Sequence, residues 1–350
     1  MAYTTINDPS AQFQTALYTG NGGANTITND GNSNLQADMI WFKERSSTSS
    51  HHLFDTNRGV GGSGKALYPN NGDAESADTA LTSLNTDGFT LANTGGFNEN
   101  GQTNVGWQWK CNGGTTSTNS SGTITSTTQV NTTAGFSIVT YTGNGVNGAT
   151  FGHGLSSAPT FIMIKCLSDS YNWMVYNSSL AQTKAAFLDL TNGADADAVY
   201  WSNTAPTSGL VSLGTNGKGN ANTENYVAYC FNSIPGYSIS GTFQGNEGTD
   251  GPFIFTGFKP AWIMVKRTNT TGTWLMWDSQ RDPINVSSTV LKANINEAEN
   301  TGYWKIDIVS NGFKIRAVDG EINGDGAQLL YQAFAANPFV TSDGVPTTAR

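Results

Sequence analysis

Three nine-residue stretches, DMIWFKERS (38–46), TFIMIKCLS (160–168) and AWIMVKRTN (261–269), follow one pattern. Successive side chains of an extended segment point to opposite faces. On that basis Ile40 and Phe42 oppose Met39 and Trp41, Ile162 and Ile164 oppose Phe161 and Met163, and Ile263 and Val265 oppose Trp262 and Met264. Both sets are apolar in all three. A strand with one wet face alternates with polar residues, so the outer face of this strand needs a cover. A loop of the same domain is the favoured cover, with another subunit as the alternative. Each strand ends on a lysine: Lys43, Lys165 and Lys266.

Around this strand four more blocks recur in one order. LYTGNGG, TYTGNGV and TFQGNEG precede it; HHLFDTNRG, NWMVYNSSL and TWLMWDSQR follow. Then come DGFTLAN, SGLVSLG and NGFKIRA, and finally VGWQWK, VAYCFN and LYQAFA. From the lysine to the shared glycine (Gly88, Gly209, Gly312) the separations are 45, 44 and 46 residues, and from there to the closing aromatic (Trp109, Phe231, Phe334) they are 21, 22 and 22. This is a triple tandem repeat of about 100 residues per unit. Short β-branched and aromatic runs between Gly, Asn, Asp, Thr and Ser clusters, with no sustained 3.6-residue stripe, predict an all-β chain. The expected architecture is three tandem antiparallel β-sandwiches of jelly-roll or concanavalin A-like type: repeat one over 1–112, a Ser/Thr-rich linker over 113–133 carrying one strand in GTITSTT, repeat two over 134–234 and repeat three over 235–350.

Composition narrows the function. Of 350 residues only 12% are charged and the net charge is −9, which argues against nucleic acid, whose affinity rests on Lys and Arg against phosphates. An anionic membrane surface is disfavoured for the same reason. The N-terminal MAYTTINDPSAQFQ lacks a basic region followed by an apolar one, so no secretory signal is expected, and no apolar run is long enough to span a bilayer. Cys111, Cys166 and Cys230 form no CxxC pair, which excludes a disulfide scaffold and a cysteine-rich zinc site.

Gly59 to Lys65 matches G-x-x-x-x-G-K. A phosphate loop needs a Ser or Thr next, a strand before and a helix after. Ala66 follows instead, then Pro69 and Asn-Gly, and the other repeats lack the glycines; the segment is expected to be a turn. His51, His52 and His153 are the only histidines. His51 aligns with Trp173 and Trp274, a partly packed strand slot, and no acid is placed to orient a catalytic base. Asp73 with Glu75, Asp195 with Asp197 and Glu297 with Glu299 recur 30, 30 and 31 residues after the lysine. Such pairs could bind Ca²⁺, weakly for want of further oxygens; a solvated loop tip is the preferred reading. Asp55 with Arg58 and Asp278 with Arg281 read as local ion pairs fixing a turn, replaced in repeat two by Asn177 and Leu180. No two carboxylates face each other as glycoside hydrolysis requires. No catalytic, cofactor or metal residue is therefore assigned.

The segments TTAGFSIVTYTGNG, FGHGLSSAPTFIMIK and NWMVYNSSL, with the ending YQAFAANPFVTSDGVPTTAR, resemble a repeat domain common in virion proteins of marine tailed bacteriophages, tail-fibre-like and related to lectin-like sandwiches. The resemblance spans essentially the whole chain and brings no catalytic residues with it. It implies that fold and a virion location; taken with the residues above, the expectation is a non-enzymatic virion surface protein, made in the host cytoplasm and working as a homo-oligomer among other virion proteins. Two roles compete: an adhesin presenting loops to host-surface glycans, which the polar Asn/Thr/Gly loops favour, and a capsid-decoration or tail-structural protein. A glycan-degrading tailspike enzyme ranks third.

Overall fold

In a computed structural model of the chain, which describes residues 3–92 and 96–347, the fold is all-β. The longest α-helix among the described residues is the four-residue turn Gly217–Asn220. The same order of four antiparallel strands recurs three times. An opening strand (Phe13–Thr19, Phe136–Thr142, Ser238–Gln244) pairs with the closing strand (Thr103–Trp109, Asn225–Phe231, Gln328–Pro338). The closing strand pairs with the lysine strand (Met39–Glu44, Phe161–Cys166, Phe258–Arg267), which pairs with an aspartate strand (His52–Asp55, Met174–Asn177, Trp274–Asp278).

Further strands cover one face of each of these, as a separate sheet in the first two repeats and as a continuation of the same sheet in the third. In the first third, Asn25–Ile27, Phe89–Leu91 and Leu81–Leu84 form the cover, and Ile27, Leu81, Phe89 and Leu91 pack with Ile40, Phe42 and Phe54 of the inner sheet. Ala149–Gly152 with Leu210–Leu213, and Phe253–Phe255 with Gly312–Ile315 and Asn300–Val309, hold the same place in the others. The shared glycine is explained here. A Cβ at Gly88 or Gly312 would lie 2.0 Å from the carbonyl oxygen of Ile27 or Ile254, whereas at Gly209 nothing lies within 4 Å. Gly88 also has φ +90°. Alanine at Gly88 is expected to destabilise by more than about 1 kcal/mol, and alanine at Gly209 to be neutral or stabilising by up to about 1 kcal/mol; urea midpoints of the two variants check this.

The other apolar face of each lysine strand is covered neither by a loop of its own domain nor by a second subunit. The three strands cover one another. Met39 with Trp109, Phe161 with Phe231, and Trp262 with Phe334 are cross-strand pairs in the three inner sheets, and all six side chains, with Trp41, Met163, Met264 and Gln332, line one central void of only about 10 Å³. Trp109 meets Trp262 edge-on at 5.8 Å between ring centroids, and Phe231 meets Phe334 at 5.6 Å. One buried cluster therefore holds residues of all three repeats.

Equivalent hydrogen bonds close this arrangement into a ring. The amides of Glu75, Ala194 and Glu299 donate to the carbonyls of Leu167, Thr268 and Arg45 at 3.0, 2.8 and 2.7 Å, joining repeat one to two, two to three and three back to one. The ring nitrogens of Trp173, Trp274 and His51 reach the carbonyls of Tyr68, Phe187 and Lys292 at 3.0, 2.8 and 3.0 Å, again one bond per seam. The stretch 113–133, expected as a linker, supplies Ser117–Asn119 and Ser126–Asn131, which extend the inner sheet of the second repeat beside Phe136–Thr142. Its threonines are good strand formers, which outweighs the low complexity.

Candidate functional site

The buried charges lie at the seams. Lys43, Lys165 and Lys266 are wholly enclosed. Burial pulls each ammonium pKa down, to about 8, and backbone carbonyls accept its hydrogen bonds. Lys165 donates to Gly72 (3.1 Å) and Tyr171 (2.8 Å), Lys266 to Thr191 (2.9 Å) and Gly272, and Lys43 to Glu44 and Ser47. Two of the three thus bridge to the preceding repeat. They are structural cations rather than nucleophiles.

The Asp55–Arg58 and Asp278–Arg281 pairs form, but they do more than fix turns. Arg58 Nε lies 2.6 Å from Asp55 Oδ2, which also accepts from Tyr229 OH of repeat two at 2.6 Å. Asp278 holds Arg281 and accepts from Trp107 Nε1 of repeat one at 3.0 Å, with the Arg281 guanidinium 5.6 Å from the centre of the Trp107 ring. At the remaining seam the corresponding residues are Gln332 and Asn177, both uncharged, and Asn177 turns to Ser240 Oγ at 2.7 Å.

Of the acidic pairs, Glu75 is engaged by Arg58 (3.2 Å) and Lys65 (2.5 Å), and Glu299 by Arg45 (2.8 Å) and Arg281 (3.2 Å). Asp195 accepts from Tyr200 OH and Asp197 from the Val199 amide. Counting residues misaligned the second pair: the slot of Glu75 and Glu299 is held in repeat two by Ala194. Among the described residues no group of three or more His, Cys, Asp or Glu side chains is placed to hold a metal ion. In the glycine-rich segment Gly61–Ser63 is a single 3₁₀ turn, and Lys65 enters a two-residue strand. All three histidines are enclosed, and burial lowers the pKa of each, that of His52 to about 4. His153 Nε2 faces the Thr207 carbonyl at 3.1 Å and its Nδ1 accepts from the Leu155 amide, a packing role.

Two surface features stand out from this closed body. The first is the outer sheet of the third repeat. On its solvent face Phe253 (47% exposed) pairs across the sheet with Lys314, and Phe255 (56% exposed) with Gly312. The same positions in the other repeats are small and polar: Thr26 beside Thr90, and Thr150 beside Ser212. Tyr303 and Ile284 are exposed in the same repeat, and Tyr3, bonded to the Gly257 carbonyl, borders Phe255. Lys314 is held by Asp250 at 2.5 Å and Arg316 by Asp307 at 3.3 Å, so the rim is charged but nearly balanced. Eight of the nine tryptophans are buried, and Trp304 is half-buried against Lys292.

The second feature is a groove of about 360 Å³ at the seam of repeats one and two. Arg58, Lys65 and Glu75 form one wall; Thr125, Thr127, Thr140 and Thr142 form the other. Neither feature was singled out from the sequence. The signal for the first was FIF in a short strand whose counterparts carry threonine; the second arises from two distant segments meeting.

No helix of the described residues is long and apolar enough to cross a membrane. Neither a curated protein nor a solved structure matches the chain. One family model, described as a domain of unknown function (DUF7483), matches residues 8–338 as a single unit, and the chain belongs to that family.

Proposed function

We propose that the chain is a non-enzymatic surface protein of a tailed-phage virion, made of three tandem β-sandwich repeats, and that it serves as a capsid-decoration or tail-structural protein. The observation that carries the structural role is the asymmetry of the exposed aromatics. At one solvent-facing position of the outer strands the cross-strand pair is Thr26 with Thr90 in repeat one and Thr150 with Ser212 in repeat two, but Phe253 with Lys314 in repeat three. Contiguous exposed apolar surface rimmed by charge marks a contact with another protein, and confining it to one repeat gives the body a single attachment side. The virion setting rests on the resemblance of the repeat segments. Asp55 and Asp278 are each taken up by an arginine at a seam, which supports a non-enzymatic reading.

The adhesin reading is favoured by the threonine-lined groove, whose size falls within the range of small-ligand sites. Immunogold labelling of intact particles separates the two: gold over the capsid or tail tube supports the structural role, gold at fibre tips supports the adhesin, and unlabelled particles overturn the virion assignment. In particles supplied with the F253S/F255S variant, labelling is expected to fall at least tenfold. The purified variant should keep wild-type stability to within about 0.5 kcal/mol, because both side chains are half exposed. Full labelling of the variant particles overturns the docking face.

A further inference from the structure

The three seams are equivalent in geometry but not in chemistry or connectivity. Repeats one and two are joined by the strands of 113–133, and two and three by the turn near Pro235. The seam from three back to one has no peptide bond across it and closes by side-chain and backbone contacts alone. At this seam the recurring indole is replaced. Trp173 and Trp274 close their seams with a ring N–H that cannot titrate, whereas His51 closes the third. Its Nδ1 accepts from Trp41 Nε1 at 2.9 Å, so Nε2 carries the proton and donates to the carbonyls of Lys292 (3.0 Å) and Ile295 (3.2 Å). The ring is enclosed and lies edge-on to Trp41, which itself lines the central void.

We propose that His51 is an acid-sensitive latch: protonation of Nδ1 breaks the bond from Trp41 within repeat one and leaves an enclosed positive charge at the seam, which parting of the third repeat from the first relieves by admitting water, opening the ring at its one untethered seam and exposing the aromatic centre. The surroundings give an added proton no partner. Within repeat one the imidazole neighbours the buried Lys43 ammonium, which opposes a second positive charge, and His52, which stays neutral over this pH range. From repeat three it meets carbonyls, while the ammonium of Lys292 is turned to Glu297 at 2.7 Å. The seam carboxylate Glu299 is already taken by Arg45 and Arg281. Burial likewise lowers the His51 pKa, so the open form binds the proton more readily than the closed one. The closed ring is therefore fully favoured above the ordinary histidine pKa of about 6.5, and its advantage falls about tenfold for each pH unit below that.

The three equivalent seam amides provide the readout. Hydrogen exchange followed by mass spectrometry from pH 7.5 to 5, expressed as protection factors, should show the Glu299 amide losing about tenfold per unit below pH 6.5. Those of Glu75 and Ala194 should stay protected over the same range. The variant H51Q keeps a donor and an acceptor without a titrating ring, and is expected to hold Glu299 protected throughout. The wild type should bind the dye ANS at pH 5 and H51Q should not. Equal loss at all three amides, no loss at Glu299, or the same loss in H51Q overturns the latch. Should H51Q fail to fold, H51W, which copies the other two seams, takes its place with the same expected result.

Discussion

Replacing Asp278 by alanine is expected to lower stability by about 3–5 kcal/mol, measured by urea denaturation. The carboxylate is fully buried, pairs with the enclosed Arg281 and accepts from Trp107 of another repeat. Removing one partner of such a pair leaves an uncompensated buried charge, and that cost exceeds the net worth of the pair itself. Repeat two supplies the control, because its equivalent positions are Asn177 and Leu180 and it closes its seam without an ion pair. The double variant D278N/R281L should therefore be far less damaged than D278A, by about 2 kcal/mol or more. If the double variant is as unstable as the sum of its parts, the charges contribute something that packing cannot replace, and the argument from equivalence fails.

Cutting the chain after residue 234 is expected to abolish cooperative folding of what remains. Three independent sandwiches would tolerate the loss of one. Here removal of the third repeat uncovers Met39, Trp41, Trp109, Phe161, Met163 and Phe231 together. Full burial of a large apolar side chain contributes about 1.5–3 kcal/mol, so uncovering half of this surface costs about 5–9 kcal/mol, comparable with the stability of a typical domain. The shortened chain should bind ANS and lose its near-ultraviolet circular dichroism, and the intact chain should unfold in one calorimetric transition. A well-folded 1–234 fragment, or three separate transitions in the intact chain, would show that the shared centre adds little.

Much of this was legible in the letters. The repeats, the strand class and the double-sided apolar character of the lysine strand follow from periodicity and spacing, because burial acts on side chains at fixed intervals. What covered the second face was not legible. Met39, Phe161 and Trp262 announce that they need a neighbour, but not that the neighbours are each other, since they stand more than 100 residues apart along the chain. The acidic pairs misled for a related reason: loop lengths differ between repeats, so the count from the lysine that reaches Glu75 lands in repeat two on Asp197, where the structure places Ala194. The alignment of His51 with Trp173 and Trp274 held the essential chemistry, a ring N–H at one slot, yet its acceptors lie in other repeats and leave no local trace. The phenylalanines at 253 and 255 were hidden by brevity, because a three-residue strand is too short for alternation to distinguish a wet face from a dry one.

The filling of the centre has a consequence for how this body could have been built. At one level stand Met39, Phe161 and Trp262, and at the next Trp41, Met163 and Met264. A trimer of identical chains must place the same residue three times at each level, so it could not combine a bulky side chain with an adaptable one there. Fusion into a single polypeptide lifts that constraint and lets each copy specialise, one supplying bulk and another supplying give. The copies are therefore no longer interchangeable: three molecules of any one repeat, mixed at high concentration, should fail to reconstitute the whole.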